Sequence, residues 1–137
     1  MNEPVTGGLL PISDLIEEEV VRVSPEATLE AAADLLEEGQ FGALVVGDGE
    51  QVQAIITERD LVHAIATRKD VALTKVSEVA HTKLIFCDIT ATVAEVAAEM
   101  MEHYVRHVLV EEDGRFVGIV SARDLLGAYT AAEMELD

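Results

Sequence analysis

Residues 55–61 read Ile-Ile-Thr-Glu-Arg-Asp-Leu, and residues 119–125 read Ile-Val-Ser-Ala-Arg-Asp-Leu. The second stretch follows the first by 64 positions. The same ungapped offset places Ala-Thr at 27–28 on Ala-Thr at 91–92, and it places Val46 on Val110. Because one offset relates positions throughout both halves, the sequence indicates an internal duplication.

The first half of each repeat predicts a short strand and then a helix. Apolar runs at residues 20–23 and 84–86 are the expected strands. Thr28 is the expected N-cap of a helix over 29–38 that ends at Gly39. In the second repeat, Thr92 and Glu95 form a Thr-x-x-Glu capping box. Apolar residues recur at helical spacing after both caps.

The second half of each repeat predicts a hairpin and a helix. Strands are expected at 43–46 and 52–56, and again at 107–110 and 116–120. They are joined by Gly-Asp-Gly at 47–49 and Glu-Asp-Gly at 112–114, which are hairpin-type turns. A last helix starts near residue 58 or 122, where Thr57 and Ser121 occupy the N-cap positions. Each repeat therefore reads as β-α-β-β-α.

The predicted fold is mixed α/β (α+β). Three strands and two small helices bury too little surface to be stable alone. We therefore expect the two repeats to pack sheet to sheet about a pseudo-twofold axis. The expected bounds are 11–70 for the first repeat and 71–130 for the second, with a linker helix near 75–80. Residues 1–10 and 131–137 are expected to be flexible termini.

The charge of the chain excludes several kinds of partner. The sequence has 27 acidic and 9 basic residues, a formal net charge of -18. Such a field repels nucleic acid and anionic membranes, so neither is expected as a partner. A bound nucleotide would need local cations. The acidic excess fits either an ordinary solvated surface or adaptation to high salt, and the scarcity of lysine agrees with the second reading.

Other features of composition bear on location. No apolar run approaches the roughly 20 residues that a membrane span requires. The first ten residues show neither the basic nor the apolar region of a signal peptide. Cys87 is the single cysteine, so no intrachain disulfide is expected, which fits a reducing compartment. The expected location is cytoplasmic.

Three segments together resemble the CBS (cystathionine β-synthase) domain. They are Val-Ser-Pro-Glu-Ala-Thr-Leu at 23–29, Ile-Ile-Thr-Glu-Arg-Asp-Leu at 55–61 and Val-Gly-Ile-Val-Ser-Ala-Arg-Asp-Leu-Leu at 117–126. The resemblance extends over about residues 11–129. It implies a CBS pair that binds an adenosine ligand in the cleft between repeats. AMP, ADP or ATP is expected, with S-adenosylmethionine or NADH as further candidates. The ligand would regulate an unidentified effector protein.

The resemblance also implies which residues bind. In the family, a Thr or Ser followed three residues later by Asp contacts ribose, which selects Thr57 with Asp60 and Ser121 with Asp124. The same spacing is equally typical of a helix cap. A basic pair before the second strand can contact phosphate, which selects Arg106 and His107. The first repeat has Gly-Ala at the equivalent 42–43, so we expect two unequal sites, with an adenine nucleotide bound at micromolar affinity at one cleft per chain instead of two.

Four further residues are expected near the adenine base. They are Val23, Cys87, Ile55 and Ile119, each of which the sequence equally assigns to the core. Neither catalytic motifs nor metal-ligand spacings are found, and the four histidines complete no zinc set. We therefore expect no enzyme activity, no required cofactor and no metal.

Self-association is the last expectation. An exposed apolar helical face predicts a homodimer. Its expected members are Leu61, Ile65, Leu125, Leu126 and Tyr129. The alternative function is a structural or interaction homodimer whose ligand sites are degenerate or empty.

Overall fold

The structure, a computed structural model, describes residues 7–16 and 20–135. The chain divides into two compact units. One is the continuous segment Val20–Leu84, which we call the central unit. The other combines Met1–Glu19 with Ile85–Asp137, and we call it the split unit.

The central unit contains a three-stranded sheet and three helices. Its elements are β1 (Arg22–Val23), α1 (Leu29–Gly39), β2 (Ala43–Val46), β3 (Ala54–Thr57), α2 (Glu58–Ala66) and α3 (Val76–Val79). The strand order is β1-β2-β3. The first pair is parallel and the second is antiparallel, as a crossover helix and a hairpin require. The predicted β-α-β-β-α order and the linker helix are confirmed.

The split unit repeats this arrangement. Two short 3-10 turns, Gly7–Leu9 and Ile12–Leu15, precede it along the chain. Its other elements are β4 (Phe86–Asp88), α4 (Val93–His103), β5 (His107–Glu112), β6 (Arg115–Ser121) and α5 (Ala122–Glu135). The strand order is β4-β5-β6, again parallel and then antiparallel. The mixed α/β fold with two repeats is confirmed.

The helix N-termini form where the caps were predicted. Thr28 accepts a hydrogen bond from the Ala31 backbone N–H at 3.1 Å. Thr92 and Glu95 form the expected reciprocal box. The predicted end of α1 is wrong by one residue, because Gly39 is still helical and Gln40 takes the left-handed conformation, with φ 54°. A Cβ at Gly39 would collide with the Phe41 ring, so this glycine permits a close contact.

Strand bounds differ slightly from the prediction. β3 begins at Ala54 instead of residue 52, and β5 continues through Glu112. The predicted hairpin turn at 112–114 is confirmed. Asp113 and Gly114 have φ of 52° and 78°, the pair of positive values that a type I′ turn requires. A bulge between Val110 and Glu111 adjusts the register of the β5–β6 pair.

Helices and sheet enclose an aliphatic core in the central unit. Its fully buried members come from α1, β2, β3, α2 and α3: Leu29, Ala32, Leu44, Ile56, Ala64 and Val76. The linker helix α3 is therefore part of this core. The Val76 N–H donates to the Ala27 carbonyl at 2.8 Å, which ties the linker to the start of α1.

An amino-terminal segment plays the same part in the split unit. Ile12 is fully buried with Val93, Val96 and Val120. Its N–H donates to the Ala91 carbonyl at 3.0 Å. Since Ile12 precedes Val76 by 64 positions, the repeat offset extends into both segments. The segment around Ile12, which belongs to the first repeat, completes the core of the split unit. The segment around Val76, which belongs to the second repeat, completes the core of the central unit.

Parts of both segments that were expected to be flexible have helical structure. Gly7 and Gly8 are buried, and a Cβ at Gly7 would lie 2.7 Å from the Tyr129 ring. At the other end, α5 continues through Glu135. The remaining residues of the predicted flexible ends, 1–6 and 136–137, lie outside the described residues.

The predicted exposed helical face is only partly correct. Ile65 and Leu126 are exposed, and Val62 joins them. Leu125 is buried in the split-unit core, so its assignment to an exposed face is wrong. Leu61 packs against the central core, because its position on α2 turns it toward that core. Within the described ranges, no helix combines the length and hydrophobicity needed to cross a bilayer.

Candidate functional site

Thr57 and Asp60 form a reciprocal capping box where β3 passes into α2. The Asp60 N–H donates to the Thr57 hydroxyl oxygen at 3.3 Å. Asp60 Oδ2 accepts from the Thr57 N–H at 2.8 Å and from its hydroxyl at 3.0 Å. The carboxylate therefore lies at the positive end of the α2 dipole, where a negative charge is favoured.

A histidine outside the predicted set completes this group. His81 Nδ1 lies 2.9 Å from Asp60 Oδ2, and both side chains are only partly exposed. The His81 backbone forms a two-hydrogen-bond bridge with Ile55 on β3. Sequence reasoning missed this contact because 21 residues separate the two side chains and no motif relates them.

Ser121 and Asp124 form the corresponding group in the split unit, where β6 passes into α5. The Ser121 N–H donates to Asp124 Oδ2 at 2.9 Å, and the Asp124 N–H donates to the Ser121 hydroxyl at 3.0 Å. Among the described residues, no side chain other than Ser121 contributes a hydrogen bond to Asp124. The residue that precedes His81 by 64 positions is Glu17, which lies outside the described ranges.

Both carboxylates retain capacity for a ligand. In each, the described hydrogen bonds converge on Oδ2. Oδ1 receives none from the described residues. An ionised carboxylate can accept about four hydrogen bonds, so Oδ1 is suited to a hydroxyl donor. Asp60 and Asp124 are half-buried, so neither side chain is fully enclosed by the unit that carries it.

The predicted phosphate residues lie beside Ser121. His107 pairs with Ser121 across the β5–β6 ladder. The Arg106 carbonyl accepts a hydrogen bond from the Ala122 N–H at 2.8 Å, and the Arg106 side chain is exposed. The backbone thus brings the basic pair, Arg106 and His107, to the end of this sheet that carries Ser121 and Asp124. We call a Thr or Ser with the Asp three residues later a hydroxyl-x-x-Asp group. In the central unit the equivalent pairing is Ala43 with Thr57, so no basic residue stands at the position of His107.

The predicted base-wall residues differ in accessibility. Val23 and Ile55 are buried, at 5% and 3% exposure, whereas Ile119 and Cys87 are half-buried. Burial, followed by the charge of Asp88, raises the pKa of the Cys87 thiol to about 11. That thiol is therefore neutral at physiological pH. A role of these four residues at a base stays a prediction.

A cleft of about 520 Å³ opens in the central unit beside the β2–β3 turn. None of the residues predicted to bind ligand lines it. Its polar lining residues are Asp48, Gln51, Gln53, Ser77 and Thr82. This set contains one carboxylate and no cation, which is unsuited to phosphate.

One acidic cluster lies on the last turns of α4. Ligand atoms of Glu99, Glu102 and His103 lie within 4.8 Å of one another, and His103 Nε2 is 3.2 Å from Glu99 Oε2. The i, i+3 and i+4 spacing on one helix accounts for this proximity. The expectation that the protein needs no metal stays a prediction.

Comparison with known proteins agrees with the duplicated architecture. A family model described as the CBS domain matches residues 12–67 and again residues 76–131. Hypoxic response protein 1 of Mycobacterium tuberculosis is 33% identical over 114 residues, which cover 82% of this chain and 80% of that protein.

Solved structures give the same result. A CBS-domain-containing protein of Agrobacterium tumefaciens is 33% identical with a TM-score of 0.81, covering 93% of this chain and 98% of that one. A CBS domain protein of Pyrobaculum aerophilum, complexed with AMP, is 26% identical with a TM-score of 0.75, covering 89% and 99%. The chain described here therefore belongs to the CBS-domain family and carries two CBS domains in tandem.

Proposed function

We propose that this chain is a regulatory module that binds an adenine nucleotide, AMP, ADP or ATP, and transmits its presence to a partner protein. The observation that carries the proposal is the pair of hydroxyl-x-x-Asp groups. Each unit directs one carboxylate oxygen into its own helix cap and leaves the other without a described donor. The relative complexed with AMP supports this ligand class.

Ribose is the part of the ligand that these groups fit. Its two neighbouring hydroxyls are donors, and a carboxylate accepts without donating. A hydrogen bond to a charged acceptor contributes roughly 1.5–3 kcal/mol. The cap holds Asp60 and Asp124 in place before the ligand arrives, which lowers the entropy cost of binding.

The two sites are expected to differ in how they bind phosphate. The split unit places Arg106 and His107 at the sheet end that carries Ser121. Arginine suits phosphate because its planar, permanently charged fork offers parallel donors. A chain with a net charge of -18 needs such a local cation. We therefore assign nucleotide phosphates to the split unit and a weaker adenosine site to the central unit.

Catalysis forms no part of this proposal. The Cys87 thiol is held neutral by its raised pKa and is a poor nucleophile. The carboxylates of Asp60 and Asp124 are held by their caps, which suits a fixed acceptor.

Isothermal titration of AMP, ADP, ATP, S-adenosylmethionine and NADH tests the ligand. We expect micromolar binding of an adenine nucleotide, and Asp124→Asn should weaken it about ten- to a hundredfold. Glu95→Gln is the matched control, because it disturbs the Thr92–Glu95 capping box without touching the proposed site. Unchanged affinity in Asp124→Asn would show that the Asp124 carboxylate of the split unit does not bind the nucleotide.

Arg106→Ala separates phosphate from adenosine. It should weaken ATP clearly more than adenosine, because Arg106 acts on phosphate alone. Absence of heat with every adenine ligand would favour the alternative function, a structural or interaction homodimer with empty sites.

We also propose that the module is a homodimer. Val62 and Ile65 on α2 and Leu126 on α5 are 59–67% exposed, and apolar side chains of this size favour an interface. Sedimentation equilibrium should show a dimer that Ile65→Glu dissociates. His63→Glu, an exposed change on the same helix, is the control. A wild-type monomer at micromolar concentration would exclude the dimer.

A further inference from the structure

The two hydroxyl-x-x-Asp groups differ by two contacts, because Asp60 Oδ2 in the central unit also receives the Thr57 hydroxyl and His81 Nδ1. His81 Nδ1 lies 2.9 Å from Asp60 Oδ2, and it donates to this oxygen in the tautomer that carries the proton on Nδ1. This bond joins two donors from Thr57 on the same oxygen. Asp124 Oδ2 has no comparable imidazole donor among the described residues.

Two hydrogen bonds hold the backbone of His81 against β3. Ile55 N–H donates to the His81 carbonyl at 3.1 Å, and His81 N–H donates to the Ile55 carbonyl at 3.0 Å. Ile55 itself is buried on β3, two residues before Thr57. The backbone of the residue that supplies the imidazole is therefore tied to β3, the strand that ends at Thr57.

A fixed carboxylate can discriminate between sugars. With three donors on Oδ2, rotation of the Asp60 carboxylate would break all three hydrogen bonds. Oδ1 is consequently held in one direction. A ligand hydroxyl at the right position donates a hydrogen bond to Asp60 Oδ1, and a ligand without that hydroxyl leaves this oxygen without a donor. Sites that require a hydroxyl therefore reject analogues that lack it.

We propose that His81 is a positioning residue that makes the central-unit site selective for ribose over deoxyribose. The inference rests on the proposed adenosine-binding function. His81 acts through Asp60, without itself contacting the sugar. Both units then bind ribose, but the central unit, which lacks a basic pair, is the one that rejects deoxyribose, whereas the split unit also binds the phosphates.

The test uses the full chain carrying Asp124→Asn, which weakens the split-unit site, and it follows the backbone signals of residues in the central unit. Adenosine and 2′-deoxyadenosine are titrated by NMR. In this background, deoxyadenosine should bind at least about tenfold more weakly than adenosine. Adding His81→Ala should reduce that ratio below about threefold. His81→Asn should restore it, because the asparagine Nδ2 atom stands near the position of the imidazole Nδ1 atom.

Two controls separate positioning from general damage. His63→Ala removes an exposed histidine from α2 and should leave the ratio unchanged. In a chain that also carries Asp60→Asn, His81→Ala should cause no further loss, because His81 acts only through that carboxylate. If His81→Ala does not fold, His81→Asn and His81→Phe are compared, since both retain the backbone bridge to Ile55.

Each possible result either supports or overturns the positioning role of His81. An undiminished ratio in His81→Ala overturns the positioning role and leaves the nucleotide-binding function intact. Loss of all adenosine binding on Asp124→Asn alone shows that the central unit is empty, which also overturns the inference. No binding of AMP or adenosine to the unaltered chain would instead refute the proposed function.

Discussion

Replacing Ile12 by alanine is expected to destabilise the split unit, whose second segment begins 73 positions later in the chain, at Ile85. Ile12 has 0% exposure and packs with Val93, Val96 and Val120. Two backbone hydrogen bonds hold its segment, from Ile12 N–H to the Ala91 carbonyl and from Val93 N–H to the Leu10 carbonyl. These survive the substitution, so the loss is confined to side-chain packing.

The expected cost follows from burial. Truncating a fully buried isoleucine to alanine costs about 2–5 kcal/mol, and a site enclosed by β-branched neighbours collapses poorly. We expect about 3 kcal/mol, which lowers the melting temperature by roughly 10 °C for a chain of this size. Val76→Ala is the matched variant, since Val76 is equally buried in the central unit. It should cost about 2 kcal/mol.

Native-state hydrogen exchange locates the damage. Ile12→Ala should lower the opening free energy of α4, β5 and β6 and spare α1 and β2. Val76→Ala should show the opposite pattern. A loss below about 1 kcal/mol for Ile12→Ala, or a loss of protection confined to residues 20–84, would refute the assignment of the amino-terminal segment to the split-unit core.

Two further changes have expected outcomes. Gln40→Gly should raise the unfolding free energy by about 0.5–1 kcal/mol in chemical denaturation, because Gln40 has a φ of 54° that glycine adopts without strain; a decrease would contradict this. Burial raises the pKa of Cys87 to about 11, so iodoacetamide should react slowly at pH 8. Since the unfolded thiol ionises near pH 9, stability should fall as pH rises from 9 to 11. Cys87→Ala should abolish that fall, and an unchanged profile would contradict it.

The sequence predicted those parts of the fold that depend on near neighbours. The capping box of Thr57 and Asp60 needs only three residues, and a Thr-x-x-Asp pattern is sufficient to expect it. The turn at Asp113 and Gly114 was predictable for the same reason. The duplication added the element order, because each half supports the reading of the other.

Contacts between distant segments could not be predicted. Nothing local in the sequence shows that Ile12 belongs with Val93 instead of Val23. The contact of His81 with Asp60 depends on the path of the linker after α3, which hydrophobic spacing does not determine. Leu125 was misassigned because helical spacing places residues on a face without showing which face the core covers. The end of α1 was missed by one residue, since Gly39 serves the Phe41 ring.

The split unit imposes an order on synthesis. The central unit leaves the ribosome as one uninterrupted stretch, so its strands can pair while β4 is still being made. Ile12 emerges earlier still, yet the core that it enters also needs Leu125 and Ala128 of α5, which follow roughly 5–20 s later at ordinary elongation rates. Folding of the split unit therefore ends when the segment around Ile12 packs into this core. A second nascent chain nearby offers the same segment, and capture of that copy would produce an exchanged dimer.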